Sequence, residues 1–240
     1  MRKVILIDAD SLLYKDIEDI EVYQDRIDEI FSEAIQKSRA DYYKVFIESP
    51  NNYTFRKILN KKYKSNRANK ELPHNYHEIK QYIIETYNPA VASGIESDDY
   101  LISTWSYLKK KHPLTDVVVC ANDKDYKTHP INYMDLYYGR YLETSTITEK
   151  EALKNFAIQM LMGDSGDGVS CLKGIGKKHS EKIIAKCKTK NQYIRAIWRE
   201  YLNHYKSPNR ARKEIVNNYL MLKIRDDVKY VYDFEKVFFE

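Results

Sequence analysis

The sequence predicts an α/β fold with a mostly parallel central sheet, followed by an all-helical C-terminal region. Short apolar runs typical of buried strands alternate with stretches of helical periodicity over residues 3–137, and the pattern from Thr148 onward is helical. Alternating strands and helices favour a parallel sheet with helices packed on it. Three of the predicted strands end in carboxylates, and ligand sites in such sheets lie beyond the carboxyl ends of the strands.

The elements follow one another without an internal repeat or a long linker. Strands are predicted at residues 3–7, 44–48, 90–93, 115–121 and 132–137, from their apolar and β-branched residues. Helices are predicted at residues 21–39, 73–87 and 94–111, and Pro208 indicates a further helix start. We expect two regions, with the sheet in residues 1–160 and helices in residues 161–240.

Length and composition describe a soluble globular protein. The chain has 240 residues, 43% of them hydrophobic and 31% charged, and no apolar run approaches the ~20 residues that span a bilayer. The N-terminus is basic and then apolar, like a signal peptide, but Asp8 and Asp10 interrupt it, which favours a buried strand. Cys120, Cys171 and Cys187 lack metal-ligand spacing and predict reduced thiols in a cytosol-like compartment, the cytoplasm.

The positive charge is concentrated in the C-terminal third. Residues 1–160 carry 23 basic against 25 acidic side chains, whereas residues 161–240 carry 17 against 10. Residues 177–213 hold 12 basic side chains and two acidic ones, Glu181 and Glu200. This asymmetry favours a polyanion that is held at one place and acted on at another. The alternative is a solvated basic face without a partner.

Carboxylates follow the predicted strands at the same edge of the sheet. They are Asp8, Glu48 and Asp123 at strand ends, Asp125 just beyond, and Glu96, Asp98 and Asp99 at the start of a helix. Any one of them is compatible with a helix cap or a solvated loop residue. Together they would repel one another without divalent cations, and their oxygens suit Mg²⁺ or Mn²⁺. Two ions ~4 Å apart are an arrangement used for phosphodiester hydrolysis.

Residues 163–178, GDSGDGVSCLKGIGKK, combine acidic and basic features. The i, i+3 spacing of Asp164 and Asp167 predicts one face of a helical turn, suited to a metal ion. Gly174-Ile-Gly176 followed by Lys177 and Lys178 predicts a close backbone approach to phosphate at a helix start. The alternative is an Asp/Gly-rich turn that leads into a helix.

These motifs, in this order over nearly the whole chain, resemble the structure-specific 5′-nuclease family. That family includes flap endonucleases, the 5′-exonuclease domain of bacterial DNA polymerase I and phage 5′–3′ exonucleases, and the compact phage-type members are the most similar. The motifs are VILIDADSLLY; KVFIES followed by TFR, with Glu48 where the family usually has Asp; KYKSNR; GIESDD; ANDKDY; and GDSGDGV followed by LKGIGKK, with Gly168 where the family often has Asn.

The resemblance implies a fold and a set of roles. It implies a PIN-like nuclease domain over residues 1–160, with a short helical arch near residues 53–75, and a helix–three-turn–helix DNA-binding element in residues 161–240. The implied metal ligands are Asp8, Glu48, Glu96 and Asp98 for the first ion, with Asp99 close by, and Asp123, Asp125, Asp164 and Asp167 for the second.

Further roles follow from the same resemblance. Lys64 and Arg67 would stabilise charge on the transferring phosphate, and Tyr63 would stack on a base near the cut. The carbonyls of Leu172 and Ile175 would face a K⁺ ion shared with a DNA phosphate. Residues implied to contact the duplex backbone are Gly174, Gly176, Lys177, Lys178 and Lys182. For residues 63–67 the alternative is a solvated basic helix.

The resulting hypothesis is a monomeric, two-metal 5′–3′ exonuclease or flap endonuclease that uses Mg²⁺ or Mn²⁺. Its partners would be DNA with a 5′ flap, a nick or an RNA primer, together with replication proteins, and no membrane. The choice among these substrates stays open. Two other classes stay open as well: a PIN-type ribonuclease, and a non-catalytic relative that binds branched DNA.

Overall fold

A computed structural model describes residues 2–50, 52–67, 71–136 and 144–227. The strands are Lys3–Asp8 (β1), Tyr42–Glu48 (β2), Ala90–Ala92 (β3), Asp116–Ala121 (β4), Asn132–Asp135 (β5), Thr144–Thr146 (β6), Gly163–Asp164 (β7) and Val169–Ser170 (β8). The α-helices are Ile20–Ser38 (α1), Phe55–Leu59 (α2), Tyr76–Tyr87 (α3), Ser97–Lys111 (α4), Glu149–Met162 (α5), Lys177–Ile184 (α6), Lys190–Tyr205 (α7) and Pro208–Leu222 (α8). Short 3₁₀ helices span Asp10–Tyr14, Ser65–Arg67 and Lys124–Thr128.

Six strands form one sheet in the order β3-β2-β1-β4-β5-β6. The first five are mutually parallel, and β6 runs antiparallel to β5. The predicted α/β architecture with a mostly parallel sheet is therefore confirmed. The parallel arrangement brings the carboxyl ends of β1, β2 and β4 to one edge.

The sheet is buried on both faces, so its central strand is apolar throughout. Ile5 and Ile7 of β1 pack with α1 and α3, whereas Val4 and Leu6 pack on the other face with Leu101 of α4. All four β1 side chains are fully buried. Burial of each contributes about 1.5–3 kcal/mol relative to exposure, which fixes β1 and the carboxylate at its end.

The helices α5–α8 form a second packed unit. Tyr201 of α7 is fully buried there, and its hydroxyl donates to the Met160 carbonyl at 2.7 Å while accepting from Asn218 at 2.9 Å. The predicted boundary at residue 160 lies inside α5, whose buried residues pack with α6–α8. The division of the chain into two regions remains a prediction. No helix within the described residues is long and apolar enough to cross a membrane.

Two sequence predictions about local structure need correction. The predicted helix at 94–111 begins at Ser97, because Glu96 is its N-cap with extended backbone (φ −81°, ψ 156°). The C-terminal region is not all helical: β7 and β8 form a hairpin, so Asp164 and Asp167 lie around its turn and not on a helical turn. Gly163 ends α5 at φ +83°, where a Cβ atom would meet the Val169 carbonyl oxygen at 2.2 Å.

Three smaller differences concern the ends of elements. The helix predicted from residue 73 begins at Tyr76, and the strand predicted to residue 137 ends at Asp135. Tyr137 itself lies outside the described residues. Residues 53–75, the predicted arch, contain α2 and a 3₁₀ turn among the described residues. The three cysteines are free thiols, as predicted.

Candidate metal and nucleic-acid site

A cavity of about 610 Å³ opens at the carboxyl edge of the sheet. We call it the acidic cavity. Its acidic lining consists of Asp8, Asp10, Glu48, Glu96, Asp98 and Asp123, and its basic lining of Lys57, Lys61 and Lys64. The register explains the convergence, because Asp8 pairs with Phe46 near the end of β2, and Glu48 pairs with Ala92 at the end of β3. The structure thus brings together five of the predicted metal ligands and adds Asp10.

Asp10 is the member of this group that sequence reasoning did not include among the ligands. It begins the 3₁₀ helix after β1, and its Oδ2 accepts from the Glu48 backbone N–H at 2.9 Å. This bond ties the ends of β1 and β2 together. The available signal was its position two residues after Asp8, which keeps it close to the same carboxyl edge of the predicted sheet.

Three carboxyl groups of the acidic cavity have raised pKa values, which makes the cavity favourable for a cation. Burial and the neighbouring Asp10 raise the pKa of Asp8 to about 8, and burial, Asp10 and Glu96 raise the pKa of Glu48 to about 7. Burial, Asp99 and Glu96 also raise the pKa of Asp98 well above its usual value. A divalent cation between such groups relieves their repulsion and their desolvation, and hard oxygen ligands suit Mg²⁺ or Mn²⁺. The donor set therefore fits the predicted metal.

Glu96 is the carboxylate with the most extensive hydrogen bonding. The Lys64 ammonium donates to its Oε1 at 2.5 Å, Arg56 donates to its Oε2, and the Tyr63 hydroxyl donates to Oε2 at 3.1 Å. Burial opposes ionisation, but Lys64 and Arg56 outweigh it and hold the pKa of Glu96 below its usual value. Glu96 is therefore ionised and oriented within the cavity.

Asp99 lies behind the cavity wall. It is fully buried, and its two oxygens accept from Arg56 at 2.7 and 2.9 Å. Glu96, Asp98 and Asp99 still offer oxygen atoms within 4.8 Å of one another. Asp99 as a metal ligand remains a prediction. Sequence reasoning did not single out Arg56, although it belongs to the TFR segment, because its burial depends on distant parts of the chain.

The second predicted metal group lies beside the first. Asp123 and Asp125 flank the start of the 3₁₀ helix after β4, and Asp164 lies in the β7–β8 hairpin. Lys124 donates to Asp125 at 3.2 Å and to Asp164 at 2.8 Å, so it joins the two segments. Burial and Asp123 raise the pKa of Asp125 to about 6. Lys124 was missed from the sequence, where it stands between two acidic residues.

Tyr63 connects the two acidic groups. Its hydroxyl donates to Glu96 and also lies 3.0 Å from Asp167 Oδ2, and only 4% of the residue is exposed. The predicted stacking role of Tyr63 does not fit this burial, because a base needs an exposed ring face. Tyr14 and Tyr53 line the same cavity with 58% and 59% exposure, and present such faces.

The structure describes the side chain of Lys64, whereas for Arg67 it describes the backbone alone. The backbone of Arg67 ends the 3₁₀ helix Ser65–Arg67, and its side chain lies outside the described part of the chain. Lys64 has a positive φ of 54°, and its backbone N–H donates to the Asp167 carbonyl at 2.9 Å. These features turn the Lys64 ammonium into the acidic cavity.

The predicted DNA-contacting segment adjoins the second acidic group. Lys177 and Lys178 begin α6, and Lys177 lines a neighbouring cavity of about 280 Å³ together with Asp125 and Asp164. Lys177, Lys178 and Lys182 are exposed, as are Gly174 and Gly176. The Leu172 carbonyl, one of the predicted K⁺ ligands, accepts from the Ile175 N–H at 3.1 Å. The K⁺ site, including the Ile175 carbonyl, remains a prediction.

Comparisons with known proteins agree with this fold. No family model matches the sequence, and no curated protein matches it. Among solved structures, a mutant of the T5 5′-exonuclease is similar with a TM-score of 0.61 and 15% identity, covering 93% of this chain and 89% of that one. The zinc-bound T5 5′-exonuclease gives 0.59 and 15%, covering 92% and 100%.

A third similar structure is the bacteriophage T5 flap endonuclease in a pseudo-enzyme–product complex with DNA and metal ions. Its TM-score is 0.53 at 15% identity, covering 92% of this chain and 99% of that one. The chain therefore has the fold of the structure-specific 5′-nucleases. At this identity the likeness establishes the shared fold, and the roles of individual residues rest on the geometry above.

Proposed function

We propose that this protein is a divalent-metal-dependent 5′-nuclease that hydrolyses phosphodiesters near the 5′ end of branched, nicked or RNA-primed DNA. The observation that carries the proposal is the convergence of six carboxylates in one cavity that also presents three lysines. Carboxylates alone would repel a phosphodiester, whereas metal ions and lysines together give it a cationic surface. The shared fold with a flap endonuclease that binds DNA and metal ions supports the same function.

The metal ligands follow from the two acidic groups. Asp8, Glu48, Glu96 and Asp98 would hold the first ion, and Asp123, Asp125, Asp164 and Asp167 the second. Bound Mg²⁺ would neutralise phosphate charge and lower the pKa of a water nucleophile. The raised pKa values of Asp8, Glu48 and Asp125 indicate groups that lose a proton when a cation binds.

Substrate positioning falls to side chains at the rim of the acidic cavity. Lys57, Lys61 and Lys64 lie on the wall contributed by α2 and the turn after it, where they would attract the scissile phosphate. Tyr14 and Tyr53 would stack on unpaired bases beside it, because their rings are exposed. The start of α6 would hold the duplex backbone through Lys177 and its neighbours, without reading sequence.

The test is cleavage of a 5′-labelled flap duplex, with Mg²⁺ or with excess chelator. The proposal expects short 5′ products only in the presence of metal. Matched all-RNA and nicked-duplex substrates separate the alternatives: a PIN-type ribonuclease would cut the RNA alone. A non-catalytic relative would shift the flap duplex in a binding assay and leave it intact with any metal. Full cleavage in chelator would contradict the metal-dependent mechanism.

A further inference from the structure

The chain turns back toward the acidic cavity where α8 ends. We call residues 221–225 the return segment. Within it Ile224 is 3% exposed and packs with the α4 side of the sheet, which holds the segment against the domain core. The Ser103 hydroxyl of α4 donates to the Arg225 carbonyl at 3.1 Å, and the Arg225 backbone N–H donates to Asp99 Oδ1 at 2.8 Å.

Arg56 joins this segment to the site. Its Nε donates to the Met221 carbonyl at 3.1 Å, and its Nη2 donates to the Lys223 carbonyl at 2.7 Å. Its remaining N–H groups donate to Asp99 and to Glu96 Oε2. All five guanidinium N–H groups are therefore used, and the side chain is 1% exposed. Two backbone carbonyls fix Arg56 from one side, and two carboxylates meet it on the other.

The Lys223 side chain supplies a second attachment for the segment. Its Nζ lies 2.6 Å from His129 Nε2, just beyond the 3₁₀ helix that carries Asp125. Burial and the nearby Lys223 charge lower the pKa of His129 to about 3, so the imidazole is neutral and can accept from the ammonium. The return segment is thus attached both to α4 and to the region that follows β4.

We propose that the return segment is a positioning element for metal binding in the acidic cavity. Its carbonyls orient Arg56, Arg56 orients the Glu96 carboxylate, and the Arg225 N–H keeps Asp99 in place to hold Arg56. Glu96 lines the cavity, whereas Arg56 and Asp99 stand behind it. Partners of this kind, which orient a metal ligand without touching the ion, change metal affinity or activity by about 10- to 100-fold when they are removed. The inference rests on the proposed function, because it assumes that Glu96 binds a metal ion.

The test compares two substitutions at one position. Arg225→Pro removes the backbone N–H that donates to Asp99. Arg225→Ala keeps that N–H, and both variants lose the same two side-chain contacts of Arg225, the exposed pair with Asp227 at 2.9 Å and the contact with the Phe55 ring. Mn²⁺ affinity is measured by isothermal titration calorimetry, which needs no activity. We expect Arg225→Pro to weaken Mn²⁺ binding about tenfold, and Arg225→Ala to stay close to the wild type.

A second pair keeps the proposal testable if the proline variant does not fold. Ser103→Ala removes the bond to the Arg225 carbonyl, and Thr104→Val is its control, because the Thr104 hydroxyl bonds within α4 to the Tyr100 carbonyl. We expect only Ser103→Ala to weaken Mn²⁺ binding. We also expect its flap-cleavage rate to recover at high Mn²⁺ at a temperature at which the variant is fully folded without metal, so that stabilisation by bound metal does not contribute.

The outcomes separate this inference from the proposed function. A wild-type protein that neither binds Mn²⁺ nor cleaves a flap contradicts the proposed function and the inference with it. If the wild type binds Mn²⁺ and cleaves a flap, but Mn²⁺ affinity is unchanged in the folded Arg225→Pro or Ser103→Ala variants, the inference alone is overturned. If these variants melt at a lower temperature but bind Mn²⁺ with unchanged affinity, the return segment contributes to stability alone and the inference is wrong.

Discussion

The backbone N–H of Lys64 donates to the carbonyl oxygen of Asp167 at 2.9 Å. This bond fixes the turn after α2 against the β7–β8 hairpin, although the two segments are far apart in sequence. Because the backbone is held there, the Lys64 ammonium reaches Glu96 Oε1 while its pKa stays above the usual lysine value. A permanent positive charge is thereby placed among the carboxylates where a phosphate would bind.

Substitution of Lys64 tests this placement. Lys64→Ala is expected to lower the single-turnover rate on a flap duplex by about 10²-fold or more, on the order of 3 kcal/mol, with a much smaller effect on binding. The reason is that the ammonium acts mainly on charge that develops during the reaction. Lys62→Ala, an exposed neighbour, serves as the control. If affinity falls while the rate of the bound complex is unchanged, Lys64 only binds phosphate.

Asp123 tests the requirement for metal. Its Oδ1 accepts from the Asp125 N–H at 2.8 Å, and the residue is exposed at the cavity rim. Asp123→Ala is expected to abolish flap cleavage while leaving DNA binding in a mobility-shift assay largely intact. Asp25→Ala, an exposed carboxylate on α1, should leave both unchanged. Residual cleavage near the wild-type rate would remove Asp123 from the set of metal ligands.

The dependence of stability on pH gives a third prediction. The pKa of Asp8 is about 8 in the folded chain, against an ordinary aspartate value of 3.8. The stability that comes from keeping this buried carboxyl protonated is therefore fully present below pH 3.8. That contribution disappears as the pH rises through about 8. We therefore expect the melting temperature in chelator to fall as the pH rises from about 4 to about 8, and Mg²⁺ to raise it more at about pH 8.5 than at pH 6.

The control for the pH experiment is Asp8→Asn, which removes the titrating carboxyl. Its melting temperature in chelator should depend less steeply on pH than that of the wild type, and Asp16→Asn, outside the cavity, should retain the wild-type slope. The same slope in wild type and Asp8→Asn would mean that Asp8 is not the group responsible.

The charge at the start of α6 gives the last prediction. Replacing Lys177 and Lys178 by alanine is expected to weaken duplex binding about equally for all sequences, because phosphate contacts carry no base information. The slope of log affinity against log salt should become shallower by about one unit for each phosphate that the variant no longer binds. The matched control is Lys110→Ala with Lys111→Ala, at the end of α4 remote from the site. If the salt slope is unchanged, the start of α6 is a solvated basic face that does not bind the duplex.

The sequence predicted the acidic cavity because several of the carboxylates that line it lie at or near the ends of predicted strands. Asp8 and Glu48 end parallel strands and Asp123 lies two residues after the end of β4, and parallel strands place such residues at one edge of a sheet. Arg56 could not be assigned in the same way. A basic residue in a basic segment is most simply interpreted as solvated, and its burial depends on carbonyls that only tertiary packing brings to it. The hairpin turn that holds Asp164 was missed for a related reason, since Asp and Gly spacing fits a helical turn equally well.

The bond from Arg56 to the Met221 carbonyl joins residues 165 positions apart. A ribosome synthesises a chain from its N-terminus, so Glu96 and Asp99 emerge long before the carbonyls that orient their guanidinium partner. Contacts between such distant residues form late, because a long loop must close before they contribute. A nascent chain can therefore build its sheet early, yet Glu96 and Asp99 gain their final hydrogen bonding only after α8 has been made. A nuclease built in this way would stay inactive toward the nucleic acid around it until its synthesis is nearly complete.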